Sequence, residues 1–323
     1  SRLNIFSDMV VFSSYAVQVI MAFMMLTMIF VLLPRASVSA KRVNEVLLKN
    51  LSIKDGKVVK PETQTDIAVE FRNVSFKYPD AEDYVVEGIN FTVKKGETAA
   101  FIGGLGSGKS TVVNLIPRFY DASGGEVLVD GVNVKEYNLH ALRNKLGYVS
   151  QKAVMFSGTV ESNITFGTEF TAANRDGRKK SAQIKKAAEI SQAAEFVENM
   201  DDKYSSAVSQ GGANLSGGQK QRLSIARAVY KKPEINIFDD SFSALDYKTD
   251  RTLRTALKKE LADTTCLIVS QRIGTIKDAD KIVVLDGGKQ VGAGTHKELL
   301  ENCEVYREIA YSQLSKEELE KEL

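Results

Sequence analysis

The pattern of hydrophobic positions begins with one long apolar run. All 24 residues from 10 to 33 are uncharged, and most of them are Met, Phe, Ile, Leu or Val. As an α-helix that rises about 1.5 Å per residue, this run would extend roughly 36 Å, more than the ~30 Å hydrocarbon core of a bilayer. The pattern therefore predicts a membrane-spanning helix.

A signal peptide and the buried helix of a soluble protein are the alternative interpretations of this run. A signal peptide has a shorter apolar region with a small-residue cleavage site behind it, whereas Arg35, Lys41 and Arg42 follow this run. Apolar runs of this length are uncommon in soluble cores. The basic residues place the C-terminal side of the span in the cytoplasm. Because the span begins close to Ser1, we expect more membrane sequence to precede it.

After the span, the apolar positions Val38, Val43, Val46 and Leu47 take helical spacing. This spacing predicts an amphipathic helix that continues the membrane helix into the cytoplasm. The stretch that follows contains Gly and Pro among mixed polar residues and predicts a linker. The expected domains are a membrane helix with its extension over 1–50, a linker over 51–66, a globular unit over 67–310 and a charged helical tail over 311–323.

Charge and cysteine content argue against several classes of protein. The chain has 43 Lys and Arg against 41 Asp and Glu, a net charge of +2, whereas a protein that coats nucleic acid carries a clear basic excess. Cys266 and Cys303 are too few for a disulfide framework. The two histidines and two cysteines lack the spacing of a zinc site. Cys266 lies in an apolar strand pattern and is expected to be an inert core thiol.

The segment with the most specific chemistry is glycine-rich. Residues 98–102 predict a buried strand, and residues 103–110, GGLGSGKS, match the pattern G-x-x-x-x-G-K-[ST] before a predicted helix. Glycines let backbone N–H groups converge on a polyphosphate, and the helix N-terminus adds positive partial charge. Lys109 can then reach the β- and γ-phosphates, and the Ser110 hydroxyl can bind Mg²⁺. A glycine-rich structural turn is the alternative, which the strand before and the helix after disfavour.

Two carboxylates end a second apolar strand. Residues 235–240, INIFDD, predict a short strand that ends in Asp239 and Asp240. In a P-loop protein the first carboxylate at this position holds the Mg²⁺ shell, and the next can orient a water molecule as a general base. A turn with two adjacent acids is the alternative interpretation.

Residues 214–230 predict another helix with an anion-binding N-terminus. Ser216, Gly217 and Gly218 lie at its start, and apolar residues at helical spacing follow. A single nucleotide does not need two such helix termini from one chain. Two chains arranged head to tail would use both, one from each protomer.

Together these motifs resemble one family. GGLGSGKS, YVSQ, LSGGQ, INIFDD and SALD occur in the order found in ATP-binding cassette (ABC) nucleotide-binding domains, and the match covers about residues 67–310. Fused behind a membrane helix, the chain looks like the C-terminal part of a type IV ABC exporter half-transporter, similar to multidrug and lipid exporters. In that resemblance, residues 10–33 correspond to the sixth transmembrane helix.

The resemblance implies a fold, cofactors and partners. The expected fold is an α/β P-loop NTPase core with an antiparallel β subdomain and an α-helical subdomain inserted over about 152–230, preceded by one long transmembrane helix. The expected cofactors are ATP and Mg²⁺. The expected partners are a second ABC half-transporter, membrane lipid and an unidentified exported substrate, but no nucleic acid. The protein would lie in the cell membrane, multi-pass at full length, with its nucleotide-binding domain in the cytoplasm.

The resemblance also implies roles for individual residues. Tyr78, 25 residues before Gly103, fits the adenine-stacking position, although its spacing alone indicates an ordinary sheet aromatic. Residues 243–246, SALD, fit the loop that crosses the dimer interface. The catalytic roles fall to Lys109, Gln151, Asp240 and Gln271, and the metal-binding roles to Ser110, Gln151 and Asp239. The residues expected to contact ATP are Tyr78, Gly103, Gly104, Leu105, Gly106, Ser107, Gly108, Lys109, Ser110, Thr111, Gln151 and Asp239, with Ser216, Gly217, Gly218 and Gln219 facing ATP on the partner.

Two positions depart from the catalytic pattern of the family. The residue after Asp239 is usually Glu and is Asp240 here, and the switch position, usually His, is Gln271. The shorter Asp side chain would hold its carboxylate roughly 1–1.5 Å further back, and such a displacement can lower a rate on the order of 10²-fold. Gln cannot carry the positive charge of His. The chain therefore looks like the degenerate half of a heterodimeric exporter, with tight ATP binding and slow hydrolysis.

Other functions stay open at this point. One is a self-sufficient homodimeric exporter ATPase, in which Asp240 and Gln271 support adequate hydrolysis. Another is a nucleotide-binding regulatory subunit that never turns over. A soluble cassette ATPase that acts on DNA or ribosomes is disfavoured by the apolar span, the near-neutral charge and the lack of a coiled-coil insertion in the sequence.

Overall fold

The computed structural model describes residues 2–62, 64–79, 81–168 and 177–314. The chain divides into two compact units between Lys54 and Asp55. The charged segment 315–323, which belongs to the predicted helical tail, lies outside the described residues.

The first unit is dominated by one long helix, α1, Arg2–Leu47. The predicted membrane span and its amphipathic extension are parts of this single helix, which continues through Pro34. Its most apolar stretch has a mean hydropathy of 2.5 and is entirely exposed in the structure. The hydroxyls of Ser13, Ser14 and Thr27 each donate to the backbone carbonyl four residues earlier, at 2.8–2.9 Å. The helix thus satisfies these polar groups internally, as a segment within hydrocarbon must.

The second unit is built on a ten-stranded sheet, accompanied by a two-stranded ribbon. The strands, in chain order, are β1 Ile67–Phe76, β2 Val86–Lys94, β3 Thr98–Gly103, β4 Gly124–Val129, β5 Val132–Asn133, β6 Leu146–Val149, β7 Gly158–Thr159, β8 Ala207–Val208, β9 Ile235–Asp239, β10 Thr265–Val269, β11 Lys281–Asp286 and β12 Lys289–Gly294. The order across the large sheet is β5-β4-β1-β2-β12-β11-β3-β10-β9-β6.

The large sheet has a parallel part and an antiparallel part. Strands β11, β3, β10, β9 and β6 are parallel neighbours, and β3 and β9 are buried along almost their whole length, as expected for strands covered on both faces. Strands β5, β4, β1 and β2 pair antiparallel. The predicted α/β core with an antiparallel β subdomain is confirmed.

The helices of the second unit, in chain order, are α2 Lys109–Leu115, α3 Leu139–Lys145, α4 Val160–Ile164, α5 Gly177–Ile190, α6 Ala194–Val197, α7 Gly217–Lys231, α8 Tyr247–Glu260, α9 Ile273–Ile276, α10 His296–Asn302 and α11 Glu304–Gln313. Helices α4 to α7 lie in the chain between β6 and β9, which are neighbours in the sheet. They bury apolar residues such as Val160, Ile184, Val197 and Leu223 in a cluster separate from that between the sheet and α2. This is the predicted inserted helical subdomain.

Part of the predicted linker, from Asp55 onward, belongs to the second unit. The backbone N–H of Gly56 donates to the carbonyl of Tyr137 at 3.0 Å. The Asp55 carboxylate accepts hydrogen bonds from the Leu139 N–H, at 2.6 Å, and from the side chain of Asn138, at 2.9 Å. Because the negative charge of Asp55 lies at the N-terminus of α3, it also interacts favourably with the helix dipole.

Candidate functional site

Three parallel strands bring most of the predicted site residues to one edge of the sheet. Strand β10 lies between β3 and β9, and Val269 pairs with both Phe101 and Asp239. Strand β3 leads into residues 103–110, here called the glycine loop. Strand β9 ends at Asp239, and Gln271 follows β10 by two residues. Because the carboxyl ends of parallel strands lie at the same edge, these three segments converge in an arrangement typical of ligand sites in α/β proteins.

Close packing requires glycine at two positions of the glycine loop. Gly108 has a φ of +91°, a left-handed conformation, and a Cβ at this position would collide with Val86 Cγ1. A Cβ on Gly103 would collide with the backbone carbonyl of Leu285. Leu105, at the tip of the loop, is 95% exposed. The loop therefore lies tightly on the sheet at its two ends and presents its middle to solvent.

The side chain of Lys109 lies inside the glycine loop. It is 7% exposed, and its ammonium donates to the carbonyls of Gly103, at 3.0 Å, and Gly104, at 2.6 Å, and to Ser107 Oγ, at 3.2 Å. Burial lowers the pKa of Lys109, and the negative charges of Asp240 and Asp239 oppose this shift. A buried ammonium that uses three loop oxygens as acceptors can exchange them for phosphate oxygens.

Ser110 and Asp239 are directly paired. The Ser110 hydroxyl donates to Asp239 Oδ1 at 2.7 Å, and the hydroxyl of Tyr148 lies 3.3 Å from Asp239 Oδ2. Burial raises the pKa of Asp239, while the hydrogen bonds from Ser110 and Tyr148 lower it. A hydroxyl and a carboxylate side by side supply two hard oxygen atoms, the ligand type that Mg²⁺ prefers.

Asp240 adopts an uncommon backbone conformation just beyond β9. Its φ is +44°, in the left-handed region where Asp and Asn are enriched among non-glycine residues. Its Oδ2 accepts a long hydrogen bond of 3.5 Å from Gln151 Nε2, and its carbonyl accepts one of 2.8 Å from the Ser243 hydroxyl. Burial raises the pKa of Asp240, and the Ser243 side chain and the charges of Lys109 and Arg272 oppose the shift.

Tyr78 lies beside the start of α2. Its hydroxyl is 3.2 Å from Thr111 Oγ1, and its half-buried ring makes edge contacts with Phe76 and Tyr120, at centroid distances of 4.9 and 5.1 Å. The antiparallel subdomain therefore places an aromatic ring next to the helix that follows the glycine loop.

The loop that contains Gln271 touches the neighbouring strand ends. Its first residue, Ser270, donates its N–H to Phe101 O at 3.1 Å. The guanidinium of Arg272 donates to Ser243 O at 3.3 Å. Gln271 itself is exposed, so its side chain is accessible at the edge where the glycine loop and Asp240 lie.

The helix predicted over residues 214–230 forms as α7, and it begins at Gly217 after the N-cap residue Ser216. Ser216 and Gln219 make a capping box, in which Ser216 Oγ accepts from Gln219 N at 3.3 Å and Gln219 Oε1 accepts from Ser216 N at 2.9 Å. The N–H groups of Gly217 and Gly218 belong to the first turn, which has no acceptors within the helix. Within the described part of the chain, no hydrogen bond joins residues 215–219 to Lys109, Ser110 or Asp239. These two groups of predicted residues are not brought together in one chain.

Two residues near the site were missed by sequence reasoning. The Tyr148 hydroxyl lies 3.3 Å from Asp239 Oδ2, and it donates to Asn114 Oδ1 at 2.8 Å. Its place in YVSQ, at the end of a buried strand, was the available signal. Gln221 is 2% exposed and donates from Nε2 to Ser150 O at 3.3 Å. It ties α7 to the residue before Gln151, and no local pattern indicates that contact.

The donor set fits a magnesium–nucleotide complex. Among the described residues, no group of three or more His, Cys, Asp or Glu side chains is placed to hold a metal ion. A cation at Ser110 and Asp239 would therefore need phosphate or water oxygens to complete its shell, as is typical of Mg²⁺. The buried ammonium of Lys109 and the tightly packed glycine loop suit the phosphates.

Several known proteins are similar in sequence to this chain. Residues 86–243 match the family model described as ABC transporter. An uncharacterised ABC transporter ATP-binding protein of Mycobacterium tuberculosis (strain H37Rv) is 42% identical over 309 residues, which are 95% of this chain and 52% of that protein. An ATP-dependent lipid A-core flippase of Alkalilimnicola ehrlichii is 42% identical over 234 residues, 72% of this chain and 38% of that protein. The chain thus spans about half, or less, of the length of these relatives.

A solved structure shares the architecture as well. A bacterial Atm1-family ABC exporter with ATP bound superposes with a TM-score of 0.79 at 30% sequence identity, covering 88% of this chain and 48% of that one. The match to the Mycobacterium tuberculosis protein extends over the long apolar helix as well as the sheet-based unit, since it covers 95% of the chain. Residues 86–243 therefore form an ABC transporter domain, and the chain combines a membrane-spanning helix with this ATP-binding domain on the cytoplasmic side of the membrane.

Proposed function

We propose that this chain is the ATP-hydrolysing part of an ABC exporter and that it couples nucleotide-driven dimerisation to the export of a substrate. The observation that carries the proposal is the convergence of the glycine loop, Asp239, Asp240 and Gln271 at one sheet edge. The names of the relatives, a flippase and an exporter, support transport across a membrane.

Each residue at that edge has a role in this proposal. Lys109 would bind the β- and γ-phosphates with its buried ammonium, and Tyr78 would stack on the adenine. Ser110, Asp239 and Gln151 would hold Mg²⁺. When bound, Mg²⁺ neutralises charge on the phosphate oxygens as the γ-phosphoryl group is transferred. Asp240 would orient the attacking water, with Gln151 beside it at 3.5 Å.

The active unit would contain two chains. Ser216 and Gly217 are exposed at the N-terminus of α7, where a second anion can be bound. No hydrogen bond in the described residues connects them with the chain's own glycine loop, so their ligand would be ATP held by a partner cassette. The partner is then a second half-transporter, and the full assembly would act in the membrane.

Asp240 and Gln271 favour a heterodimer in which this chain supplies the weaker site. The Asp240 carboxylate is at the limit of hydrogen-bond distance from Gln151, as expected of a side chain one methylene shorter than Glu. The chain would bind ATP tightly at its own glycine loop, and its α7 terminus would complete the faster site of the partner. A self-sufficient homodimer and a subunit that never hydrolyses ATP are the two competing functions.

ATP turnover by the purified chain in lipid nanodiscs tests the proposal. We expect Mg²⁺-dependent ATP binding, turnover far slower than that of a complete transporter, and loss of binding in Lys109→Met. Brisk turnover would contradict the degenerate site and support a homodimer. If this chain's own site shows no turnover even when a catalytic partner chain is supplied, the result would support the non-hydrolysing subunit. Unchanged ATP binding in Lys109→Met would contradict the site itself.

A further inference from the structure

The last residue of α11, Gln313, contacts the loop that contains Gln271 at two points. Its Nε2 donates to the backbone carbonyl of Gln271 at 2.7 Å. Its Oε1 accepts from the backbone N–H of Ile273 at 2.9 Å. One side-chain amide thus holds the backbone on both sides of Arg272, with both distances in the range of good hydrogen bonds.

The contact with Ile273 provides an acceptor for a backbone N–H in the first turn of α9. Ile273 begins α9, and within the described part of the chain the N-cap residue Arg272 provides no side-chain hydrogen bond to the first turn. The first-turn N–H groups of a helix need acceptors from outside the helix. Gln313 supplies one from a different helix, so the path of the chain from Gln271 into α9 depends on where α11 lies.

Helix α11 is firmly seated. Tyr306 and Ala310 are fully buried on its inner face and pack in one cluster with Ile273 and Ile276 of α9. Leu314, just beyond Gln313, packs partly against the same cluster. The amide of Gln313 is therefore presented from a packed helix and not from a mobile end.

The same loop also contacts the region after β9. The Arg272 guanidinium donates to Ser243 O at 3.3 Å, and the Ser243 hydroxyl donates to Asp240 O at 2.8 Å. The loop that contains Gln271 is thus hydrogen-bonded both to α11 and to residues 240–243.

We propose that Gln313 is a positioning residue that fixes Gln271 for contact with the terminal phosphate of ATP. The proposal rests on the function proposed above, in which Gln271 occupies the switch position. In this proposal Gln313 acts only through the backbone of Gln271, whose carbonyl it holds. It would therefore contribute to the preference for a triphosphate over a diphosphate, and not to the binding of adenine or of the first two phosphates.

The variants separate this role from a merely structural one. Gln313→Met keeps the length of the side chain and removes both hydrogen bonds. Gln313→Glu keeps an acceptor for Ile273 N–H and places a negative oxygen against Gln271 O. Ser312→Ala is the matched control, because among the described residues the Ser312 hydroxyl bonds only within its own helix, to Ile309 O at 2.7 Å. Gln271→Ala tests the switch position itself.

The measurement is the affinity of the 323-residue chain in nanodiscs for a Mg²⁺-bound, non-hydrolysable ATP analogue and for ADP. For Gln313→Met we expect analogue affinity to fall about 10-fold with ADP affinity unchanged, while the loss of one or two neutral hydrogen bonds lowers the unfolding temperature by only roughly 2–4 °C. Gln313→Glu should weaken analogue binding at least as much, because its carboxylate repels Gln271 O. Amide hydrogen exchange at Ile273 should speed up in Gln313→Met and stay at its original rate in Ser312→Ala.

Three results would overturn the proposal, and they can be told apart. Equal loss of ADP and analogue affinity in Gln313→Met would indicate a structural role. Faster exchange at Ile273 with unchanged affinity for both nucleotides would show that the bonds exist but do not position Gln271. An unchanged analogue-to-ADP ratio in Gln271→Ala would instead show that Gln271 does not act as the switch, which is a failure of the proposed function.

Discussion

Gln151 Nε2 and Asp240 Oδ2 lie 3.5 Å apart, so the amide and the carboxylate that flank the edge of the sheet barely touch. A hydrogen bond between an amide N–H and an oxygen is commonly 2.7–3.2 Å long. The distance exceeds that range by less than the roughly 1–1.5 Å by which a Glu side chain reaches further than Asp. A longer side chain at position 240 could therefore close the gap, which makes this position the natural place to alter turnover.

We expect Asp240→Glu to raise ATP turnover about 10- to 100-fold, because the added methylene moves the carboxylate toward Gln151 and the water position. Its ATP affinity should stay within about 2-fold. Asp240 has a φ of +44°, where Asp is more readily accommodated than Glu, so a stability loss of up to about 1 kcal/mol should accompany the gain. Steady-state phosphate release measures the rate, with Asp240→Asn as the inactive control. A rate no faster than that of the parent chain would argue against the degenerate-site interpretation.

Ser110→Ala should remove the benefit of Mg²⁺ for ATP binding. The Ser110 hydroxyl lies 2.7 Å from Asp239 Oδ1, and loss of one of the three proposed protein ligands should weaken binding of the magnesium complex by about 10-fold or more. ATP affinity in EDTA should be unchanged, because Lys109 is untouched. Ser110→Thr keeps a hydroxyl and is the matched control. Equal losses with and without Mg²⁺ would contradict a metal role for Ser110.

Tyr78→Ala should weaken ATP binding only by removing the contact with the adenine base, and it should leave phosphate binding unchanged. Stacking of a base on an aromatic ring is worth about 1–3 kcal/mol, which corresponds to roughly 5- to 150-fold in affinity. Tyr78→Phe keeps the ring and loses the hydroxyl that meets Thr111, so it should bind nearly as well as the parent chain. Competition by inorganic tripolyphosphate should not change in either variant. A matching loss of tripolyphosphate affinity in Tyr78→Ala would indicate damage to the glycine loop instead.

Ser216→Ala should abolish ATP-dependent association between chains while leaving the chain's own ATP binding intact. The variant loses a capping box, which should also lower stability by about 1 kcal/mol. Thr295→Ala removes the capping box of α10 and is the control for that stability loss. Light scattering with and without ATP measures association. If Thr295→Ala weakens association as much as Ser216→Ala, the effect is one of stability.

Cys266 should react with alkylating agents only when the chain unfolds. Burial raises its pKa to about 12 from an ordinary value of 9.0, so at pH 8 its thiolate fraction is lower by roughly 10³-fold. Because the folded state holds this proton more tightly, the stabilising effect is complete below about pH 9 and is lost as the pH rises toward 12. Iodoacetamide labelling of a Cys303→Ser variant, folded and in denaturant, measures the difference. Rapid labelling of the folded chain at pH 8 would contradict the buried environment.

The features that sequence predicted well are local. The strand before the glycine loop, the helix after it and the strand that ends at Asp239 each follow from short patterns of apolar residues, glycine and charge. The apolar span and its amphipathic continuation also form one helix, as the change of spacing indicated. In each case the residues that define the element are neighbours in the chain.

Contacts set by sheet order could not be predicted in this way. Tyr148 reaches Asp239 because β6 and β9 are neighbours, although 91 residues separate the two. Gln313 reaches Gln271 across 42 residues because α11 packs on α9. Polar residues such as these, in unremarkable sequence surroundings, have no periodicity that marks their partners. Their roles depend on packing between elements that local patterns do not specify.

The buried amide of Gln221 gives the chain a form of internal communication. It lies two residues after Gln219 on α7 and holds the carbonyl of Ser150, the residue before Gln151. A displacement of the first turn of α7 that left the end of β6 in place would strip this buried amide of its acceptor, which is unfavourable. Movement at the α7 terminus and movement at Gln151 are thus linked in free energy, and such linkage is reciprocal. An anion bound at the α7 terminus and a metal ion bound at Gln151 would therefore alter each other's affinity through this one hydrogen bond.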